Sequence, residues 1–211
     1  MDNLTQALLR IGQATRTIAL DEARAVGLTP VQAQTLLFVS NTKSFATTVR
    51  QLAATLGATN ASTVGVIDAL VAKGLLRREP GEHDRRITLL RLTAEGQQAC
   101  KRLGQWGHQL QAALQQLTAE QRQALESGLG AVIWSLRTSG HLTVAEPCRG
   151  CIYFAEDAAP GQPEPHYCRL IQQFLPEEEA RKDCPEHTPP DQAGTPHRLA
   201  RDDVDPDVRN G

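Results

Sequence analysis

Proline divides this chain. Of twelve prolines, only Pro30 and Pro80 precede residue 147, and the other ten lie at 147 or later. Proline removes a backbone donor and clashes with the preceding helical turn. Long helices are therefore confined to the first 140 residues, and the remainder is expected to be irregular apart from one short helix at 167–175. The spacing predicts three segments: a compact helical domain over 1–140, a Cys-rich extension over 141–188, and a Pro/Asp-rich disordered tail over 189–211.

The extension has few apolar residues but holds four of the five cysteines, Cys148, Cys151, Cys168 and Cys184, spaced C-x2-C-x16-C-x15-C. No apolar run approaches the ~20 residues a spanning helix needs. The N-terminus MDNLTQALLRIG lacks a basic region leading into an apolar stretch. The expected location is the cytoplasm, with no membrane partner, where clustered cysteines serve as metal ligands or redox groups rather than disulfides. Structural zinc is one option, with His166, His187 and His197 as substitute ligands, although zinc sites commonly use two close cysteine pairs and only Cys148-Arg149-Gly150-Cys151 is one. An iron–sulfur cluster is the preferred reading, because it accepts one pair plus isolated ligands and because Cys184-Pro185 repeats a dipeptide found at cluster ligands. A [4Fe–4S] form is favoured and [2Fe–2S] is compatible. Tyr153, Phe154, Tyr167 and Phe174 would form an apolar shell around it.

Charge separates the same halves. Residues 1–140 carry 15 basic against 10 acidic side chains, and residues 141–211 carry 7 against 14. A basic front half suits a polyanionic partner. No Gly-rich phosphate loop, nucleophile–base set or metal-hydrolase motif is present, so an enzyme is not expected; an electron-transfer component is the remote alternative.

Apolar periodicity predicts the helices of the front half. Leu4, Leu8, Ile11, Thr15 and Ile18 share one stripe of a helix from Leu4 to Ala25. Thr29-Pro30 opens a second helix. Helices over Val49–Leu56 and from Thr59 or Asn60 to Ala72, closed by Gly57 and Gly74, form a helix-turn-helix. The second of them carries Thr59, Asn60, Ser62 and Thr63 on its expected outward face, where short polar side chains suit base edges and phosphates; Thr59 or Asn60 also serves as its N-cap. Leu75–Arg78 and Ile87–Leu92 read as strands of a wing whose loop carries Arg85 and Arg86, with Asp84 in support. Thr93-Ala94-Glu95-Gly96 starts a long helix bearing Leu103, Trp106, Leu110 and Leu114. Leu117-Thr118-Ala119-Glu120-Gln121 starts the last, with Leu125, Leu129, Val132, Ile133 and Leu136. The apolar surface of these helices exceeds what a small core needs, which points to a homodimer.

Over residues 4–138 the chain resembles the MarR family of bacterial transcriptional regulators. The carriers are LTPVQAQTLLFV, the helix-turn-helix ending VAKGLLRRE, and the wing Asp84-Arg85-Arg86 with Ile87-Thr88-Leu89 and Leu92-Thr93-Ala94-Glu95-Gly96 after it. The resemblance implies a homodimeric winged helix-turn-helix protein that binds double-stranded, pseudo-palindromic operator DNA. Thr59, Asn60, Ser62 and Thr63 would face bases or phosphates, and Arg85 and Arg86 would sit in the wing. The fold class expected is thus mainly α, a winged helix-turn-helix with long dimerisation helices plus the irregular extension. Cys100 is expected to be a small packing residue. The four-cysteine extension departs from the family pattern. The expected function is a transcriptional regulator, a repressor, whose operator affinity is set by a cluster sensing redox state, oxygen or iron, transmitted through the last long helix. The alternative keeps the regulator, makes the metal a structural zinc, and assigns the signal to a small ligand.

Overall fold

The computed structural model describes residues 2–81, 85–103, 107–142 and 145–190. The expectations placed on Asp84, Trp106, His197 and most of the tail lie outside these residues. The chain forms two compact units. One comprises Met1–Ser40 and Thr47–Thr143, the other Asn41–Ala46 and Val144–Gly211.

In the first unit, α1 (Asn3–Ala25) starts at Asp2, whose carboxylate accepts from Thr5 N, and ends before Gly27, at φ +71°. Its buried residues are Ala19 and Ala23; Leu4, Leu8 and Ile11 of the predicted stripe are exposed. The helix α2 (Pro30–Asn41) opens with a reciprocal cap, Gln32 N to Thr29 Oγ1 and Thr29 N to Gln32 Oε1. It buries Ala33, Leu36 and Val39. Next come α3 (Val49–Leu56) and α4 (Asn60–Ala72). Strands β1 (Leu76–Pro80) and β2 (Thr88–Leu92) pair antiparallel, from Leu76 opposite Leu92 to Pro80 opposite Thr88. Pro80, expected in the turn, thus ends the strand, where no ladder N–H is required. Leu36, Leu52, Ile67, Leu70, Leu76 and Leu90 make the centre of the core.

The long helix expected from Thr93 is divided. Helix α5 (Ala94–Arg102) and helix α6 (His108–Leu114) are separated by Gly107 at φ +90°, a left-handed residue that a continuous right-handed helix cannot contain. Helix α7 (Ala119–Thr138) starts with a capping box between Thr118 and Gln121. No helix among the described residues is long and apolar enough to cross a membrane.

In the second unit, β3 (Phe154–Ala155), β4 (His166–Cys168) and β5 (Gln173–Leu175) form an antiparallel sheet in the order β3-β4-β5. This corrects the helix expected at 167–175: Tyr167 pairs with Phe174 across a turn in which Gln172 is left-handed, φ 53°. The short helix lies just beyond, as α8 (Glu177–Ala180), where Pro176 stands at the N-cap. A single 3-10 turn, Ser44–Ala46, completes the unit from far upstream in sequence.

Candidate functional site

The helix-turn-helix is fixed by its caps. Thr48 accepts from Gln51 N at the start of α3, and Gly57 closes it at φ +61°. Thr59 is the N-cap of α4, its hydroxyl accepting from Ser62 N at 3.2 Å and lying 2.9 Å from Ser62 Oγ. Thr59, Asn60 and Ser62 are exposed, as the DNA-facing reading requires. Thr63 departs from it. Its side chain is 1% exposed and its hydroxyl donates to Thr59 O at 2.9 Å, so Thr63 is buried and braces the first turn instead of facing outward. Val64, next to it, is 39% exposed and takes that place on the surface. An apolar side chain there suits contact with a thymine methyl.

The wing is tied to this helix by Arg78, whose Nη2 lies 2.7 Å from Asp68 Oδ1 of α4. Glu79 pairs with Arg77 on its own strand and with Arg91 across the hairpin, and Leu90 N donates to Thr47 O at 2.8 Å. These bonds leave Arg85 and Arg86 exposed beyond the strands. Cys100 is half-buried against α2, with its thiol 3.5 Å from Leu36 O; burial pushes the thiol up to about 11, so it stays protonated near neutrality.

The four C-terminal cysteines are free thiols and line one cavity. Each is placed by backbone bonds. Cys148-Arg149-Gly150-Cys151 is a tight turn, with Cys151 N donating to Cys148 O at 3.0 Å and Gly150 at φ +86°. Cys148 N donates to Ala180 O. Cys168 pairs opposite Phe154. Cys184 exchanges both backbone bonds with Glu146, at 2.9 and 3.3 Å. Cys148 and Cys184 are buried; Cys151 and Cys168 are half-buried. Desolvation pushes the Cys148 thiol up, opposed by a hydrogen bond from Lys43, and pushes Cys184 up to about 12.

Of the aromatic shell, Tyr153 and Phe154 line this cavity, while Tyr167 and Phe174 pair with each other at 5.0 Å between ring centroids and Phe174 is 48% exposed. Of the substitute ligands, His187 lines the cavity. His166 does not: its Nε2 lies 2.6 Å from Glu177 Oε2 and its Nδ1 accepts from Asp157 N, so both ring nitrogens are engaged.

Two lining residues, Lys43 and Phe45, come from the segment between α2 and α3 and had no sequence signal. Lys43 is 1% exposed. Its Nζ donates to Glu179 O at 2.9 Å, and its side chain lines the cavity together with Cys148. The segment is paired to the Cys184 turn by Lys43 N to Asp183 O at 2.9 Å and Asp183 N to Asn41 O at 2.6 Å. Ser44 donates through both N and Oγ to Glu179 Oε1, each at 2.9 Å.

The donor set suits a thiolate-bound metal centre. Four sulfurs converge on one cavity, Phe45, Phe154 and Ile171 keep it apolar, and Thr188 N points at Cys151 Sγ from 3.5 Å, a contact of the kind that stabilises coordinated thiolates. Among the described residues no three Cys, His, Asp or Glu side chains are gathered tightly enough to hold a single metal ion.

The first unit is a winged helix-turn-helix domain. Residues 26–87 match the model of the MarR family, a stretch that ends before the four cysteines. An uncharacterized HTH-type transcriptional regulator of Bacillus subtilis (strain 168), YfiV, is 30% identical over 92 residues, which span 43% of this chain and 58% of that protein. The chain thus matches little more than half the length of that curated relative. The S. aureus MepR–DNA complex superposes with a TM-score of 0.56 at 19% identity, covering 64% of this chain and 100% of MepR. Apo MarR from E. coli gives a TM-score of 0.52 at 24% identity, covering 63% and 98%. At these identities the likeness establishes the fold, that of the MarR winged helix proteins.

Proposed function

We propose that this protein is a DNA-binding transcriptional regulator, a repressor, whose affinity for its operator is set by an iron–sulfur cluster held by Cys148, Cys151, Cys168 and Cys184. The observation that carries the reading is the convergence of all four cysteines, 36 residues apart in sequence from first to last, on one cavity. The MarR-family match and the exposed Asn60, Ser62, Arg85 and Arg86 support operator binding. Two copies of the chain would place two α4 helices about 34–36 Å apart, one turn of DNA.

When bound, the cluster supplies a reversible charge change and a group that is lost on oxidation or iron limitation. The chain's own residues do the rest. Asp183, next to the ligand Cys184, is paired to Asn41 and Lys43, and that segment runs directly into Thr48, the N-cap of α3. A route of backbone hydrogen bonds and a short stretch of chain therefore leads from the cysteines towards the helix-turn-helix, in addition to the one through the end of α7. Phe45 and Phe154 add apolar lining to the cavity.

The test is a visible spectrum with iron, sulfide and zinc analysis on protein purified without oxygen, and then salt-dependent band shifts on promoter DNA with and without the centre. A broad band near 400 nm, iron matched by sulfide, and operator affinity that changes on oxidation are expected. Colourless protein with one zinc per chain would overturn the cluster and leave the zinc alternative. Cys148→Ser, Cys168→Ser or Cys184→Ser protein that still responded to redox state would overturn the sensing role.

A further inference from the structure

From the surroundings of Lys43 we infer that this residue is the internal counter-charge of the thiolate centre, and that its ammonium latches the segment between α2 and α3 onto the cysteines only while the centre is in place. The inference rests on the proposal that the four cysteines hold a metal.

A lysine head group buried to 1% exposure is costly unless an anion and hydrogen-bond acceptors surround it. Among the described residues Lys43 has no carboxylate within salt-bridge distance. What it meets instead is the carbonyl of Glu179 at 2.9 Å and, around the same cavity, Cys148 and Cys184. A centre ligated by four thiolates carries net negative charge and is the anion this ammonium lacks. The rest of the segment is shaped to hold it there. Lys43 N and Asn41 O bracket Asp183, and Ser44 grips the Glu179 carboxylate with two bonds of 2.9 Å. Phe45 adds an apolar wall of the same cavity.

Charge alone then sets two behaviours. A cation beside the ligand sulfurs stabilises the more negative, reduced form of a cluster and raises its potential. Loss of the centre removes the anion and leaves a buried cation, so the segment is released, and with it the stretch leading into α3. Lys43 is thus a positioning residue. It is not a ligand.

The experiment compares wild type, Lys43→Met and Lys43→Arg, loaded with iron and sulfide without oxygen. Metal and sulfide content of the wild type is read first. Midpoint potential is then measured by dye-mediated titration, and hydrogen exchange of peptides covering residues 41–56 is measured in loaded and chelator-stripped protein. Lys43→Met is expected to lower the potential and to abolish the difference in exchange between loaded and stripped protein, with Lys43→Arg close to wild type. An unchanged potential in Lys43→Met overturns the counter-charge. If Lys43→Met takes up no cluster, wild type alone decides: equal exchange at 41–56 in the loaded and stripped states overturns the latch, and protection lost on stripping supports it. Wild type that holds zinc and no iron overturns the cluster reading, whereas the latch is then judged by the same exchange measurement before and after zinc is chelated.

Discussion

Lys43 Nζ lies 2.9 Å from the carbonyl oxygen of Glu179, across 136 residues of sequence. That one bond joins the loop ahead of the helix-turn-helix to the turn that delivers Cys184. The cysteine unit is therefore not an appendage attached only at the end of α7. It incorporates six residues, Asn41–Ala46, from between Ser40 and Thr47 of the winged helix-turn-helix unit. A signal at the cysteines has a short path to α3 through these hydrogen bonds and the chain from Lys43 to Thr48, and under the proposed function changes there are expected to alter operator affinity.

Substitutions at Thr59 separate its capping role from the proposed DNA contact. Its hydroxyl accepts from Ser62 N, and Thr→Ala at such a cap costs about 1 kcal/mol. Thr59→Asp keeps a strong cap but sets a negative charge where phosphates are expected. Thr59→Ala is expected to lower thermal stability. Thr59→Asp is expected to keep stability and lose operator binding. Equal operator affinity in Thr59→Asp and wild type would exclude α4's first turn from the interface.

Gly96 permits the close approach of α5 to the start of the wing. A Cβ at this position would lie 2.1 Å from Leu75 O, a backbone atom that cannot swing aside. Overpacking of this kind costs about 1–3 kcal/mol. Gly96→Ala is expected to lower the midpoint of chemical denaturation by a corresponding amount, while Gly128→Ala, with open space around it, is expected to leave it unchanged or higher.

The parts of the fold that carry local signatures were legible in the sequence. Thr29, Thr59 and Thr118 cap the helices that follow them, and Gly57 and Gly74 stop helices in the left-handed region. Three features were not. Thr63 is polar but falls on the buried side of α4, because its hydroxyl satisfies Thr59 O within the helix. The β4–β5 hairpin was read as a helix because Leu170, Ile171, Phe174 and Leu175 match helical spacing as well as paired strands, and short apolar runs are ambiguous between the two. Lys43 and Phe45 join the cysteines through long-range pairing, which leaves no trace in local spacing. The cysteines themselves were found because they are scarce elsewhere in the chain.

The exposed apolar side chains of α1 and α7 call for a partner. Leu8 and Ile11 of α1, and Ile133 and Trp134 of α7, are 36%, 48%, 43% and 54% exposed in the single chain. Large apolar side chains exposed along two helices point to association faces. Sedimentation is expected to give twice the 23.0 kDa chain mass. Trp134→Glu with Ile133→Asp is expected to shift the protein to monomer and to weaken operator binding, because one half-site contact is then lost. A monomeric wild type at micromolar concentration would contradict the homodimer.

Cys100 is a packing residue by its surroundings. Desolvation raises its thiol to about 11 from 9.0, so at neutral pH its thiolate fraction falls roughly a hundredfold. The sign is that of a group made less reactive. Alkylation of Cys100 in native protein is expected to be slow below pH 9 and rapid after unfolding, as read by peptide mass. Cys100→Ser is expected to retain any bound metal and the redox response of operator binding. Loss of that response in Cys100→Ser would move the sensor out of the C-terminal unit.

The wing arginines make a claim that salt can test. Arg85 and Arg86 lie beyond the hairpin bonds that hold Arg77, Arg78 and Arg91 to Glu79 and Asp68. A residue that neutralises one phosphate contributes about 0.9 to the slope of log K against log salt. Arg85→Ala is expected to weaken binding to operator and to unrelated DNA alike, and to reduce that slope by about 0.9 per wing. If affinity fell for operator alone with the slope unchanged, Arg85 would be reading bases or groove shape and not phosphate. If neither changed, the wing tip would lie off the DNA, and the basic contribution would have to come from α3 and α4, where Arg50 is exposed one residue into α3.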